Sequence, residues 1–132
     1  MNGLIHHIEL YVSDLERSMA FWQWLLEDLS YHIHQQWPEG ISFKLGPSYI
    51  VFVQTEDRFL DVPYHRRRTG LNHIAFHASS KSHVDQMTGQ LRAANVPILY
   101  EHLHPYAGGN EHYAVYFEDP DRIKVELVAP SE

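Results

Sequence analysis

The chain has 132 residues, 44% of them apolar, a formal net charge of -7 and Cys 0. That is apolar matter enough for one compact domain or two half-domains sharing a core; the acidic balance disfavours a nucleic-acid partner, and disulfides and thiolate chemistry are excluded. No apolar run approaches the roughly 20 residues that cross a bilayer, and the N-terminus lacks a secretory pattern, so the default expectation is a cytoplasmic protein with no membrane partner.

In chain order, Ile8, Leu10 and Val12 alternate with His7, Glu9 and Tyr11, the period-two pattern of a strand with two distinct faces. Ser13-Asp14-Leu15-Glu16 has the form of a capping box, and Leu15, Met19, Trp22 and Leu26 continue at helical spacing towards an end near Leu29. Three strands are predicted over 31–36, 40–45 and 48–54, with Gly46-Pro47 as a turn. Residues 55–69 hold Pro63 and the basic run His65-Arg66-Arg67-Arg68 and read as a linker with a solvated loop, or else an anion or partner surface.

The same order then returns. His73, Ile74, Phe76 and Ala78 stand where His7, Ile8, Leu10 and Val12 stood. Ser82 and Asp85 offer a second cap, and Val84, Met87, Leu91 and Ala94 a second helix stripe closed by Asn95 and Pro97. Strands are predicted over 98–102, 111–118 and 123–128. The chain therefore reads as an α+β protein of two tandem βαβββ modules, 1–54 and 70–132, together one domain over 4–129. Their mixed sheet would curve around a cleft with the helices outside.

Strand parity sorts the candidate site residues. If Ile8, Leu10 and Val12 pack under the helix, then His7, Glu9 and Tyr11 face the cleft, as do His73, Ala75 and His77. On the last strand Val125 and Leu127 pack inward, which puts Lys124, Glu126 and Val128 on the cleft face. Two imidazoles and a carboxylate suit Zn, Mn, Ni, Co or Fe, so His7, His73 and Glu126 are the candidate metal ligands, with open positions for water or substrate. Aligning Val125-Glu126-Leu127 with Val51-Phe52-Val53 puts Phe52 at the remaining corner, where it would leave a metal position open or wall a substrate. Glu9 is a candidate general base or an acceptor orienting a ligand. The segment Pro105–Tyr113, with Gly108-Gly109, reads as a hairpin or a lid, and Lys124 as a contact for a substrate anion.

These residues resemble the vicinal oxygen chelate superfamily, which includes glyoxalase I, extradiol dioxygenases, fosfomycin-resistance enzymes and bleomycin-binding proteins. The matching elements are His6-His7-Ile8-Glu9-Leu10-Tyr11-Val12 with the Ser13-Asp14-Leu15-Glu16 turn and Phe21-Trp22, then Leu71-Asn72-His73-Ile74-Ala75-Phe76, then Phe117-Glu118-Asp119-Pro120-Asp121 running on to Val125-Glu126-Leu127. The resemblance implies His7, His73 and Glu126 as ligands, and Tyr116 as a substrate-binding tyrosine of the fosfomycin-modifying kind. It also implies a homodimer whose sites draw ligands from both chains. Four-ligand members place a Glu or Gln near position 52; the three-ligand set here looks more like the fosfomycin or extradiol enzymes. The expected function is a glyoxalase-like, divalent-metal-dependent lyase or isomerase acting on a small oxygen-rich substrate, with Glu9 and Tyr116 as catalytic candidates. One alternative is an Fe(II) extradiol-type dioxygenase, in which His77 or His112 would be a further catalytic histidine. Another is a non-enzymatic binding protein of the bleomycin-resistance type.

Overall fold

The computed structural model describes residues 2–131 and divides into two units, the first ending at Pro63 and the second beginning at Tyr64. The first unit runs β1 (His7–Val12), α1 (Leu15–Asp28), β2 (His32–Trp37), β3 (Gly40–Leu45) and β4 (Ser48–Gln54), then a short 3-10 turn at Asp57–Phe59. The second runs β5 (His73–His77), α2 (Lys81–Ala93), β6 (Ala114–Glu118) and β7 (Lys124–Val128). The class is α+β, as expected, with one mixed sheet in each unit: 4 strands in the order β1-β4-β3-β2, and 3 in the order β5-β7-β6. In both sheets the first strand pairs parallel to the last strand of its unit, and the other pairings are antiparallel. No helix among the described residues is long and apolar enough to cross a membrane.

Both helices start later or earlier than the capping patterns suggest. Asp14 rather than Ser13 caps α1, its carboxylate accepting from Arg17 N at 3.1 Å, while Ser13 Oγ accepts from the Arg17 guanidinium. Ser80 rather than Ser82 caps α2, accepting from His83 N at 3.0 Å. In each case a side chain two or three residues past the strand reaches the orphan amides first. The helix ends also match. Ser30 and Asn95 adopt left-handed backbone with φ of 71° and 59°, and Tyr31 N and Val96 N bond back to Leu26 O and Leu91 O. That is the Schellman closure, made here without glycine.

The core of the first unit lies between α1 and one sheet face. Trp22 is fully buried with its ring 5.0 Å from that of Phe52, and Phe43 packs beside Phe52 at 6.2 Å. The second unit repeats this with Val84, Met87 and Leu91 against Val115, Phe117, Val125 and Leu127, all buried. The packing of β1 is looser than its alternation suggests: Val12 is buried, Leu10 half-buried and Ile8 37% exposed.

The strand predicted over 98–102 does not form. Ile98 makes a single bridge to Phe117, and the chain then coils through turns closed by Leu103 N to Tyr100 O, Tyr106 N to Leu103 O and Gly109 N to Tyr106 O. Tyr100 has a φ of 55°, which breaks an extended run. For the same reason the strand predicted over 111–118 starts only at Ala114, because His112 N closes a turn on Gly109 O.

Candidate metal centre

In the second unit β5 and β7 align His73 with Lys124 and Ala75 with Glu126, and β6 aligns Tyr116 with Glu126. Paired residues share a face, so His73, Lys124, Glu126 and Tyr116 stand opposite the helix-facing Val125 and Leu127. Glu126 is 4% exposed, yet among the described residues no lysine or arginine pairs with it; its neighbours are imidazoles and a phenol. Oε1 lies 3.3 Å from His73 Nε2, and Oε2 is in close contact with His112 Nε2. Burial first, then the Glu126 charge and a hydrogen bond to it, push the Tyr116 hydroxyl up to about 12. At neutral pH that hydroxyl is a donor, not a phenolate.

The imidazole of His73 is oriented from behind. Its Nδ1 sits 2.7 Å from Asn72 Oδ1, an oxygen that can only accept. Nδ1 therefore carries the proton, and in the neutral ring the Nε2 lone pair faces a carboxylate oxygen. Two acceptors at that separation repel unless a second proton or a cation lies between them. The donor set thus fits a divalent cation.

His7 has a similar arrangement in the first unit. Its ring stacks on Tyr49 at 4.6 Å with planes 2° apart, and its Nδ1 is 2.9 Å from His6 Nδ1. One of those nitrogens donates to the other; in the tautomer where His7 Nδ1 is the donor, the Nε2 lone pair of His7 is left for a ligand. Glu9 is exposed and shares the His7 face, aligned with Val51. The structure therefore groups His73, Glu126 and Tyr116 in one unit and His7 and Glu9 in the other. Among the described residues, no group of three or more His, Asp or Glu is arranged to hold a metal ion.

The counterpart of Glu126 is Val51, not Phe52. His7 aligns with Tyr49 as His73 aligns with Lys124, and two residues on Glu9 meets Val51 as Ala75 meets Glu126. Phe52 is on the helix-facing side, fully buried against Trp22. It neither occupies a ligand corner nor walls a substrate, because strand alternation turns it the other way. The corner still lacks a donor, since valine has none.

Asn72 and Tyr100 are site neighbours that motif reasoning overlooks; the only available signal for Asn72 is its place directly before a candidate ligand. His112 reaches Glu126 from the turn that follows Gly109. A β-carbon on Gly108 would lie 2.5 Å from the His112 ring and 2.7 Å from the Tyr116 hydroxyl. Gly108→Ala is thus expected to destabilise the protein by about 1–3 kcal/mol and to move His112 off Glu126. Urea unfolding and the His112 ring NMR signals read both effects; an unchanged midpoint with unchanged signals would contradict this packing. His77, the other histidine considered for a catalytic role, is exposed at the end of β5, aligned with Val128.

The model of the Glyoxalase/Bleomycin resistance protein/Dioxygenase superfamily matches residues 4–127. The chain belongs to this superfamily. Within it, the chain is 60% identical over 127 residues to an uncharacterized protein, YqjT, of Bacillus subtilis (strain 168), covering 96% of this chain and 99% of that one. A crystal structure of a Bacillus halodurans protein assigned as a glyoxalase is 57% identical, covers 98% of this chain and 97% of its own, and superposes with a TM-score of 0.97. A Glu-to-Gln mutant of the fosfomycin resistance protein FosX of Listeria monocytogenes, solved with Mn(II) and 1S,2S-dihydroxypropylphosphonic acid, is 25% identical with a TM-score of 0.71, over 99% of this chain and 95% of that one. The superfamily thus includes relatives that bind a divalent metal and a small oxygen-rich molecule.

Proposed function

We propose that the protein is a divalent-metal-dependent enzyme of the glyoxalase type, a lyase or isomerase acting on a small oxygen-rich substrate, with His7, His73 and Glu126 as metal ligands. One observation carries it: a buried carboxylate faces the Nε2 of a histidine whose Nδ1 is already held by Asn72. Bound there, Zn, Mn, Ni, Co or Fe would stabilise negative charge developing on a substrate oxygen. Three protein ligands leave coordination positions for that oxygen. His7 is contributed by a first unit, which in the homodimer belonging to this proposal is that of the second copy. Tyr116, held protonated, donates a hydrogen bond to the substrate, and Glu9, on the His7 face, serves as its proton acceptor.

Tag-free, chelator-treated protein titrated with Mn(II) tests this. One ion per chain is expected, with Asn72→Leu weakening binding about 10- to 100-fold and Asn72→Asp retaining it. No saturable Mn(II), Zn(II) or Fe(II) binding would overturn it. A second reading, the Fe(II) extradiol dioxygenase, is favoured by the third imidazole that His112 brings to Glu126. Oxygen consumption with a catechol and Fe(II) would support that chemistry over the isomerase type.

A further inference from the structure

Beside the candidate ligands, on the same face of the second sheet, Lys124 has distinctive surroundings. Its Nζ is 2.9 Å from the Tyr100 hydroxyl, 4.9 Å from the centre of the Tyr100 ring and 5.2 Å from that of Tyr116. Across the sheet it is aligned with His73 on one side and Glu118 on the other. Glu118 is the expected counter-ion, but two arginines occupy it: Arg66 in a close ion pair and Arg122 at 3.4 Å. No carboxylate pairs with Lys124 among the described residues, in a protein that is acidic as a whole. An ammonium has three donors, and the Tyr100 oxygen takes one.

Tyr100 reaches this position through an uncommon backbone. Its φ of 55° is left-handed, held by Leu103 N and His104 N donating to its carbonyl at 2.9 and 3.0 Å. A bulky residue is disfavoured there, and such strain persists where the surrounding structure fixes it. A lysine resting on aromatic rings is ordinary in itself. The strained placement of a hydroxyl on that lysine, next to a candidate metal ligand, points further.

We infer that Lys124 and Tyr100 form an anion subsite, and that the substrate is a small organic acid whose carboxylate or phosphonate docks there while a neighbouring oxygen reaches His73 and Glu126. This rests on the metal-site proposal for the second contact only. Residues two apart on a strand lie about 7 Å apart. A hydrogen bond at one end, a metal–oxygen bond at the other and a short acid between them span that distance. The two tyrosine rings would flank the carbon skeleton, and the Tyr116 hydroxyl would lie on the same side.

Amide NMR titrations of the full protein test the subsite, first metal-free and then Zn(II)-loaded, with acetate, methylphosphonate and the neutral acetamide as probes. Both anions are expected to bind at Lys124, Tyr100 and Tyr116, and acetamide not to bind; which anion binds more tightly assigns the acid class. Lys124→Met should weaken anion binding about tenfold, with Lys124→Arg retaining it and Tyr100→Phe giving a smaller loss. Equal anion affinity in wild type and Lys124→Met, or equal binding of acetamide, would overturn the subsite. Anion binding at Lys124 in a protein that takes up no Zn(II) would remove the metal proposal and keep the subsite.

Discussion

Replacing Glu126 with alanine is expected to abolish the proposed metal binding and to leave the protein folded. Its carboxylate lies 3.3 Å from His73 Nε2 on the face of the second sheet opposite Val125 and Leu127. Loss of a ligand from a three-residue set should weaken Mn(II) binding by more than about 100-fold, beyond the 10–100-fold seen for outer partners. His73→Ala and His7→Ala should do the same, although His7 lies in the other unit. Folding should survive because the Glu126 partners are imidazoles and a phenol that remain part-exposed or can re-pair, so no buried charge is stranded. Calorimetric titration reads the affinity, circular dichroism the fold, and His32→Ala on the exposed β2 is the control that should bind as wild type. Wild-type affinity in Glu126→Ala would contradict the ligand assignment.

Phe52→Ala should cost about 3–5 kcal/mol of stability, the second large effect. Phe52 has no exposed surface and touches the rings of Trp22 and Phe43. Removing it empties the centre of the first unit's core without touching the opposite face. Urea unfolding should show the loss while the Mn(II) affinity of the remaining folded protein is unchanged. The neighbouring Val51→Glu change puts a carboxylate on the face of His7 and should alter metal binding instead. A Phe52→Ala protein of wild-type stability but changed metal affinity would put Phe52 on the site face and contradict the strand register.

The first unit is legible in the sequence because its signals are local and agree with one another. Turn residues bracket β3 and β4, and the stripe of Trp22 and Leu26 fixes the buried face of α1. The Phe52 error has a physical source. Two parallel pairings, His7 with Tyr49 and His73 with Lys124, set which residues correspond, and pairing register is not written in either strand alone. A shift of one residue turns a side chain to the other face. The missing strand at 98–102 has the same character: its apolar residues suit a strand, but the Tyr100 carbonyl accepts turn bonds and the backbone there is left-handed. For the candidate site, the repeated module together with residue type and parity points to His73 and Glu126, which the fold brings within 3.3 Å of each other. The hold of Asn72 on Nδ1, the approach of His112 and the Tyr100–Lys124 pair depend on loops whose course only the folded chain shows.

The most direct test of the metal centre is elemental analysis of protein purified without an affinity tag, run beside the Glu126→Ala variant. About one equivalent of a divalent transition metal per chain is expected in the wild type and almost none in the variant. Absence of metal from the wild type after incubation with Mn(II), Zn(II) and Fe(II), or equal content in both proteins, would contradict a metal held by His7, His73 and Glu126.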